Sequence, residues 1–310
     1  MKAFSVTRAL GDGFELVGRR PLAVLVWGAL LTLPYVLIVP MTIGLLQSIP
    51  PTAWDDNDTM NSEFMAQIMQ FQALSNLTNI VAIAALVFVS AAVFRAMLFP
   101  ERSKAFYLRA SLDELRLAVV SIAVFIGWML AAGLVVLILA LIGVSFAHAA
   151  PAVQGLAWVL LGLIGTAAIV IGFAHIALTG PATIGTSDFA FAAGWRGARR
   201  SWGRLSALIV LLVLIAVVLQ MLFYVVFAGL LGLAWAMGLL GDIAGFFTSG
   251  DPSAWRIDAG RAWGLVALLF VPVSMMMGVV QTVMLAPFAS VWRQVAHGPQ
   301  AAGAPDASMS

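Results

Sequence analysis

The chain contains no cysteine. That excludes disulfides, thiolate catalysis and cysteine-ligated metal or iron–sulfur centres, and it leaves the redox compartment unread. Charge is nearly as scarce, with Asp, Glu, Lys and Arg together making up 10% of the 310 residues. It is missing altogether from five runs, 21–54, 64–94, 117–187, 205–241 and 262–292. Too few charges remain to clothe a soluble domain of this size, and no soluble catalytic domain is left over. What is present is apolar: 62% of residues are hydrophobic and the mean hydropathy is +1.03. A helix needs about 20 apolar residues to cross a bilayer core, so the sequence reads as an integral membrane protein, an all-α polytopic helical bundle.

The run 117–187 is too long for one crossing and is interrupted between Ser145 and Pro151 by a Ser, a His and a Pro. Divided there, the chain has six transmembrane helices, expected at 22–46, 74–98, 117–144, 153–178, 205–231 and 265–288. The run 205–241 would measure about 55 Å as a straight helix at 1.5 Å per residue, beyond a core of about 30 Å. Its second half is therefore expected to end and turn along the membrane surface, where Gly238, Gly241 and Gly245 precede Asp251-Pro252. The domain plan is an interfacial amphipathic segment at 1–20, a six-helix transmembrane domain at 21–295 and a disordered tail at 296–310.

Loop charge sets the expected orientation. Alternate loops and both termini hold fourteen of the sixteen basic residues, leaving only Arg256 and Arg261 for the other side. Short cytoplasmic loops retain Lys and Arg during insertion, so both termini are expected in the cytoplasm. The first external loop, 47–64, has Asp55, Asp56, Asp58 and Glu63 without a basic residue. The apolar stretch after Pro21 exceeds a 7–15-residue signal core, so the first span is expected to be retained. Arg supplies fourteen of the basic residues, and Ala, Gly and Val are abundant, which fits a GC-rich bacterial genome and places the chain in the inner membrane.

Three expected spans end in similar phrases: Ala96-Met97-Leu98-Phe99-Pro100, Ala177-Leu178-Thr179-Gly180-Pro181 and Val283-Met284-Leu285-Ala286-Pro287. Proline should stop or kink each helix there. This reads either as three hairpins on one plan or as the ordinary taste of membrane helices for Pro at exits and Arg at entries. Between spans lie amphipathic pieces. In 187–204, Phe191, Trp195, Ala198 and Trp202 recur at helical spacing opposite Arg196, Arg199 and Arg200, with Ser187 or Asp188 as the expected N-cap. Phe4, Leu10, Phe14 and Val17 oppose Lys2, Arg8 and Asp12 in the lead, and Phe106, Leu108, Leu112 and Leu115 oppose Arg102, Lys104, Arg109 and Arg116 in the second loop. Basic interfacial helices of this kind set topology and pack under the bundle, or hold anionic phospholipid, with Arg196, Arg199, Arg200 and Arg204 as the candidate lipid ligands.

Polar groups inside the spans are few. His175 shares a stripe with Gly165, Ala168, Gly172 and Thr179. It reads first as a packing residue bonded across a helix interface, and otherwise as a proton relay or ligand. Gln220 with Tyr224, and Gln281 with Ser274 and Gly278, read as amides bonding another helix. No catalytic constellation emerges. Ser145 and His148 sit in one short segment without a separate span for the base, and Leu239 replaces the first glycine of the Gly-x-Gly-Asp pattern before Asp242. No metal, cofactor or nucleic-acid partner is implied, and protein partners stay open.

The stretches Gly18-Arg19-Arg20-Pro21, Phe94-Arg95 through Glu114-Leu115-Arg116-Leu117, and Pro181 through Ala193-Gly194-Trp195 to Ser201-Trp202-Gly203-Arg204 resemble bacterial six-span proteins of the YciC family and the membrane domain fused to some glycerophosphodiester phosphodiesterases. Asp188 stands where that group is expected to have Glu, and the phosphodiesterase's metal-binding carboxylates have no counterpart here. The resemblance implies a fold and a compartment rather than a reaction. The expected role is a non-enzymatic, lipid- or partner-binding membrane domain of the cell envelope. The alternative is a transporter or channel-like facilitator for a small solute or lipid.

Overall fold

The computed structural model describes residues 4–36, 38–48, 62–101, 104–109, 111–240 and 259–297. Every regular element among them is helical. In chain order they are α1 (Val6–Arg19), α2 (Pro21–Val36), α3 (Ile38–Ser48), α4 (Ser62–Leu98), a 3-10 turn (Lys104–Tyr107), α5 (Leu112–Val144), α6 (Pro151–Ile176), α7 (Thr179–Thr186), α8 (Phe191–Arg199), α9 (Trp202–Ala236) and α10 (Ala259–His297). Five stretches are long and apolar enough to cross a membrane, or up to six when a shorter pair at the N-terminal end counts as one span. This is the all-α polytopic bundle expected from the charge-free runs. Large apolar side chains on α5 and α6 stand in the open, Leu130 at 71% and Leu163 at 63% exposure, which only lipid or another chain can solvate. The chain is a multi-pass membrane protein.

Several boundaries differ from the expected ones. Over the expected first span lie α2, 16 residues with Pro34 inside, and α3 of 11 residues, on either side of residue 37, which is outside the described residues. The break between the third and fourth spans falls as expected, with Pro151 opening α6. Proline stops a helix only after α4, at Pro100; Pro181 lies in the first turn of α7, and α10 runs unbroken through Pro272 and Pro287. Helix α9 continues five residues past the expected end. It closes at Gly238, φ +71°, where Gly238 N–H donates to Trp235 O and Leu239 N–H to Ala234 O. This paired pattern requires a left-handed residue, which glycine adopts without a Cβ clash. The surface turn expected beyond it, and the tail after 297, lie outside the described residues.

The chain forms two compact units. One comprises Met1–Arg19, Ser90–Ala216 and Thr282–Ser310; the other Arg20–Val89 and Val217–Gln281. In the first, Leu178 and Ala182 of the α6–α7 region pack with Ala198 of α8, Leu205 and Leu208 of α9 and Trp292 of α10. Helices α5 and α6 form a hairpin closed by glycine: a Cβ at Gly172 would stand 2.8 Å from Trp128, one at Gly165 2.7 Å from Leu139, and Gly143 lies under Trp158. In the second unit, α2 meets α10 backbone to backbone. A Cβ at Gly28 would enter the carbonyl of Ser274, and one at Gly278 the carbonyl of Val24. Small residues permit that approach.

Candidate functional site

The first unit carries most of the described polar side-chain contacts between helices, and its basic residues fall into two sets. One set ties helix ends together. Arg95, near the end of α4, donates from Nη1 to Tyr107 O at 3.3 Å and from Nη2 to Ser111 Oγ at 3.4 Å. It also lies 2.5 Å from Glu114 Oε1, an ion pair with 12% and 6% of the two side chains exposed. Glu114 Oε2 accepts from Ser111 N–H at 2.8 Å, completing a capping box at the start of α5. Phe106 and Tyr107 both have positive φ, 55° and 63°, a conformation costing side-chain-bearing residues about 1–2 kcal/mol each. The Arg95 bond to Tyr107 O and the Tyr107 hydroxyl bond to Pro100 O, 2.9 Å, hold the loop in it. Further along, Arg116 donates to Ser187 O at 2.5 Å, Arg204 to Phe4 O at 3.1 Å and Arg293 to Met97 O at 3.3 Å. Arg293 also reaches Asp12 Oδ2, which accepts from Ser290 Oγ at 2.5 Å.

The amphipathic segments differ in which face they bury, and the one in the second loop is turned inside out relative to a soluble helix. In the second loop the expected apolar face is out, with Leu112 and Leu115 exposed and Glu114 buried, and the segment is a 3-10 turn and the start of α5 rather than a helix of its own. Helix α1 buries Leu10 and Leu16 but leaves Phe14 exposed, while Asp12, expected on the polar face, faces Ser290 and Arg293.

Helix α8 holds the second basic set. It is shorter than expected: Ser187 is the left-handed C-cap of α7, φ 52°, Ala190 is the N-cap without a side-chain bond, and Trp202 begins α9. Its inner face is Gly194, Gly197 and Ala198. A Cβ at Gly194 would lie 2.7 Å from Thr179 Cα, and one at Gly197 3.5 Å from Trp292. With the contact made by small residues, Phe191, Trp195, Arg196, Arg199 and Arg200 remain on the exposed side. Arg196 Nε donates to Ala192 O of its own turn at 3.2 Å. Beside it lies an open groove of about 500 Å³ whose lining includes Arg196, Ala192, Trp195, Ile176 and Val124.

His175 stands next to this groove. Its Nδ1 lies 2.7 Å from Ile171 O and its ring 5.3 Å from that of Trp195. A carbonyl only accepts, so Nδ1 carries the proton. The bond expected across an interface is thus made within α6, and the ring supports Trp195. Of the stripe leading to it, Gly165 and Gly172 pack while Ala168 is exposed. Gln220 and Tyr224 lie exposed on α9. Gln281 is half-buried on α10, and neighbouring Ser274 is fully buried. Ser145 Oγ donates to Ile142 O at 2.5 Å rather than engaging His148.

No family model, curated protein or solved structure matches this chain. Its functional reading therefore rests on its own residues. Of the latching arginines, Arg116 and Arg204 each precede a Leu at a span entry and read as topology, while Arg95 and Arg293 stand near helix ends; that each would find a main-chain carbonyl needed the fold.

Proposed function

We propose that this multi-pass protein is a non-enzymatic membrane domain of the bacterial inner membrane, akin to the YciC-like six-span proteins, which binds anionic phospholipid through α8. One observation carries the reading. Helix α8 docks through glycine and alanine, leaving Arg196 and Arg199 exposed beside the exposed rings of Phe191 and Trp195. Aromatic rings favour the head-group level and basic side chains gain about 1 kcal/mol each near an anionic leaflet. Arg204, the fourth of the expected set, also donates to Phe4 O and is kept intact in the test below.

Replacing Arg196, Arg199 and Arg200 by Gln leaves the latching arginines to maintain orientation. Insertion should survive, lipid retention should fall, and binding by the parent should weaken with salt, since surface attraction is screened over about 8 Å at physiological ionic strength. Equal retention of phosphatidylglycerol or cardiolipin by parent and triple variant would refute the reading. The orientation has its own test. In the cysteine-free background, Ala147→Cys should label from outside intact cells, whereas Glu101→Cys and Asp188→Cys, equally exposed, should label only after permeabilisation.

A further inference from the structure

The groove beside α8 sets one charged side chain in a largely apolar lining, and that combination goes beyond surface attraction. Among the described residues Arg196 is the only charged one in the lining. Its guanidinium is tied by Nε to Ala192 O, which restrains it beside the groove. No carboxylate is paired with it among the described residues; the nearest acid in sequence, Asp188, accepts from Phe189 N–H at 2.7 Å. Val124, also in the lining, lies eight residues beyond Arg116, the last charge before the apolar run of α5. Eight residues of helix rise about 12 Å, so the lining reaches from the charged boundary into the hydrocarbon zone. The Thr179 hydroxyl, which also lines it, is spent on Ile176 O at 2.7 Å. One wall is Trp195, braced by His175.

We infer that this groove is a discrete site for one anionic phospholipid, its phosphate on Arg196 and an acyl chain lying over Ile176 and Val124. A free phosphate satisfies the arginine only, and an uncharged lipid leaves the arginine without an anion; the charge on Arg196 and the apolar remainder of the lining together select the anionic lipid. The inference rests on the reading of α8 as lipid-binding and narrows it from three arginines to one. His175 is then a positioning residue that holds Trp195 against the chain.

The test uses the full chain in mild detergent, titrated with phosphatidylglycerol, phosphatidylcholine or inorganic phosphate and followed by native mass spectrometry. The parent should keep one phosphatidylglycerol under activation that strips the rest. Arg196→Gln removes the anion's partner and Ala192→Trp fills the groove without changing charge; each should lower occupancy of that lipid about tenfold, the loss expected for one charge-assisted contact. Arg19→Gln, on α1 and paired there with Glu15, removes a positive charge outside the lining and should stay within about twofold of the parent. Arg196 and Ala192 are both exposed, so thermal unfolding of each variant should match the parent's. A parent that keeps no anionic lipid overturns both readings. A parent that keeps it while Arg196→Gln and Ala192→Trp behave like Arg19→Gln overturns the groove and leaves the broader reading of α8 standing. Displacement by millimolar phosphate, or equal retention of phosphatidylcholine, also overturns it.

Discussion

The two units solve the same problem by opposite means. Apolar helices in lipid gain little by hiding apolar surface from one another, so something other than the hydrophobic effect must choose their neighbours. The unit holding α5 to α8 uses polar fasteners: arginines at helix ends donate to carbonyls of Tyr107, Ser187, Phe4 and Met97. The unit holding α2 displays another device among its described residues. Its specificity lies in backbone approach, Gly28 against Ser274 and Gly278 against Val24. Directional bonds suit the membrane boundary, where charge is tolerated; close packing suits the interior, where an arginine would be expensive. Location in the bilayer decides which device is available.

The sharpest way to break this contrast is at the glycine crossing. Gly278→Leu or Gly28→Leu places side-chain carbon where a neighbouring carbonyl now stands, and the helices must part. Overpacking a core ordinarily costs about 1–3 kcal/mol, and more when backbone must move. Most folded protein should be lost, as read by size-exclusion yield, whereas Gly229→Leu, with open space around it, should express normally. Equal yields would mean that the crossing is not what holds α2.

Next is the buried ion pair. Arg95→Leu strands Glu114, 6% exposed, and should cost about 3–5 kcal/mol because the remaining charge has lost its partner in a dry place. Arg95→Leu with Glu114→Leu should recover much of that in a double-mutant cycle. Additive losses would show the pair to be a bystander. Gly194→Val comes third. Its new carbons meet the Thr179 backbone, so α8 should lift from α7 at a cost of about 1–3 kcal/mol, visible as proteolytic nicking near residue 190. His175→Gln should be smallest, within about 0.5–1 kcal/mol, since its bond is to its own helix. Gly172→Leu, against Trp128, should be clearly worse. A reversal of that order would mean that His175 holds more than Trp195.

The sequence displays the fold class openly because lipid imposes it: a charge-free run of sufficient length has few other destinations. The turn at Gly238 was legible for a similar reason, since a left-handed helix end favours glycine. Less legible was which face of each amphipathic segment turns inward. In water Leu112 and Leu115 would be buried and Glu114 exposed, and the periodicity alone does not say which solvent surrounds it. Gly28 was silent because a glycine's meaning depends on what crosses it. Its partners on α10, Ser274 and Gly278 four residues apart, were noticed only as neighbours of Gln281. The lipid-candidate arginines formed one set in the sequence; in the fold Arg204 donates to Phe4 O, far away in sequence, whereas Arg196 donates to Ala192 O of its own turn.

The latching arginines have one more implication, and it concerns time. During insertion a nascent helix is oriented by formal charge near its ends, and Lys would serve as well as Arg. After folding, Arg95, Arg116, Arg204 and Arg293 are bound to main-chain carbonyls of distant residues, a role that draws on a planar fork with several fixed donors and that a single ammonium fills poorly. The same four side chains are thus read twice, first as an address and later as joinery. A chain with lysine at all four would be delivered the right way round and then hold its helix ends loosely, so correct delivery and correct assembly can fail separately.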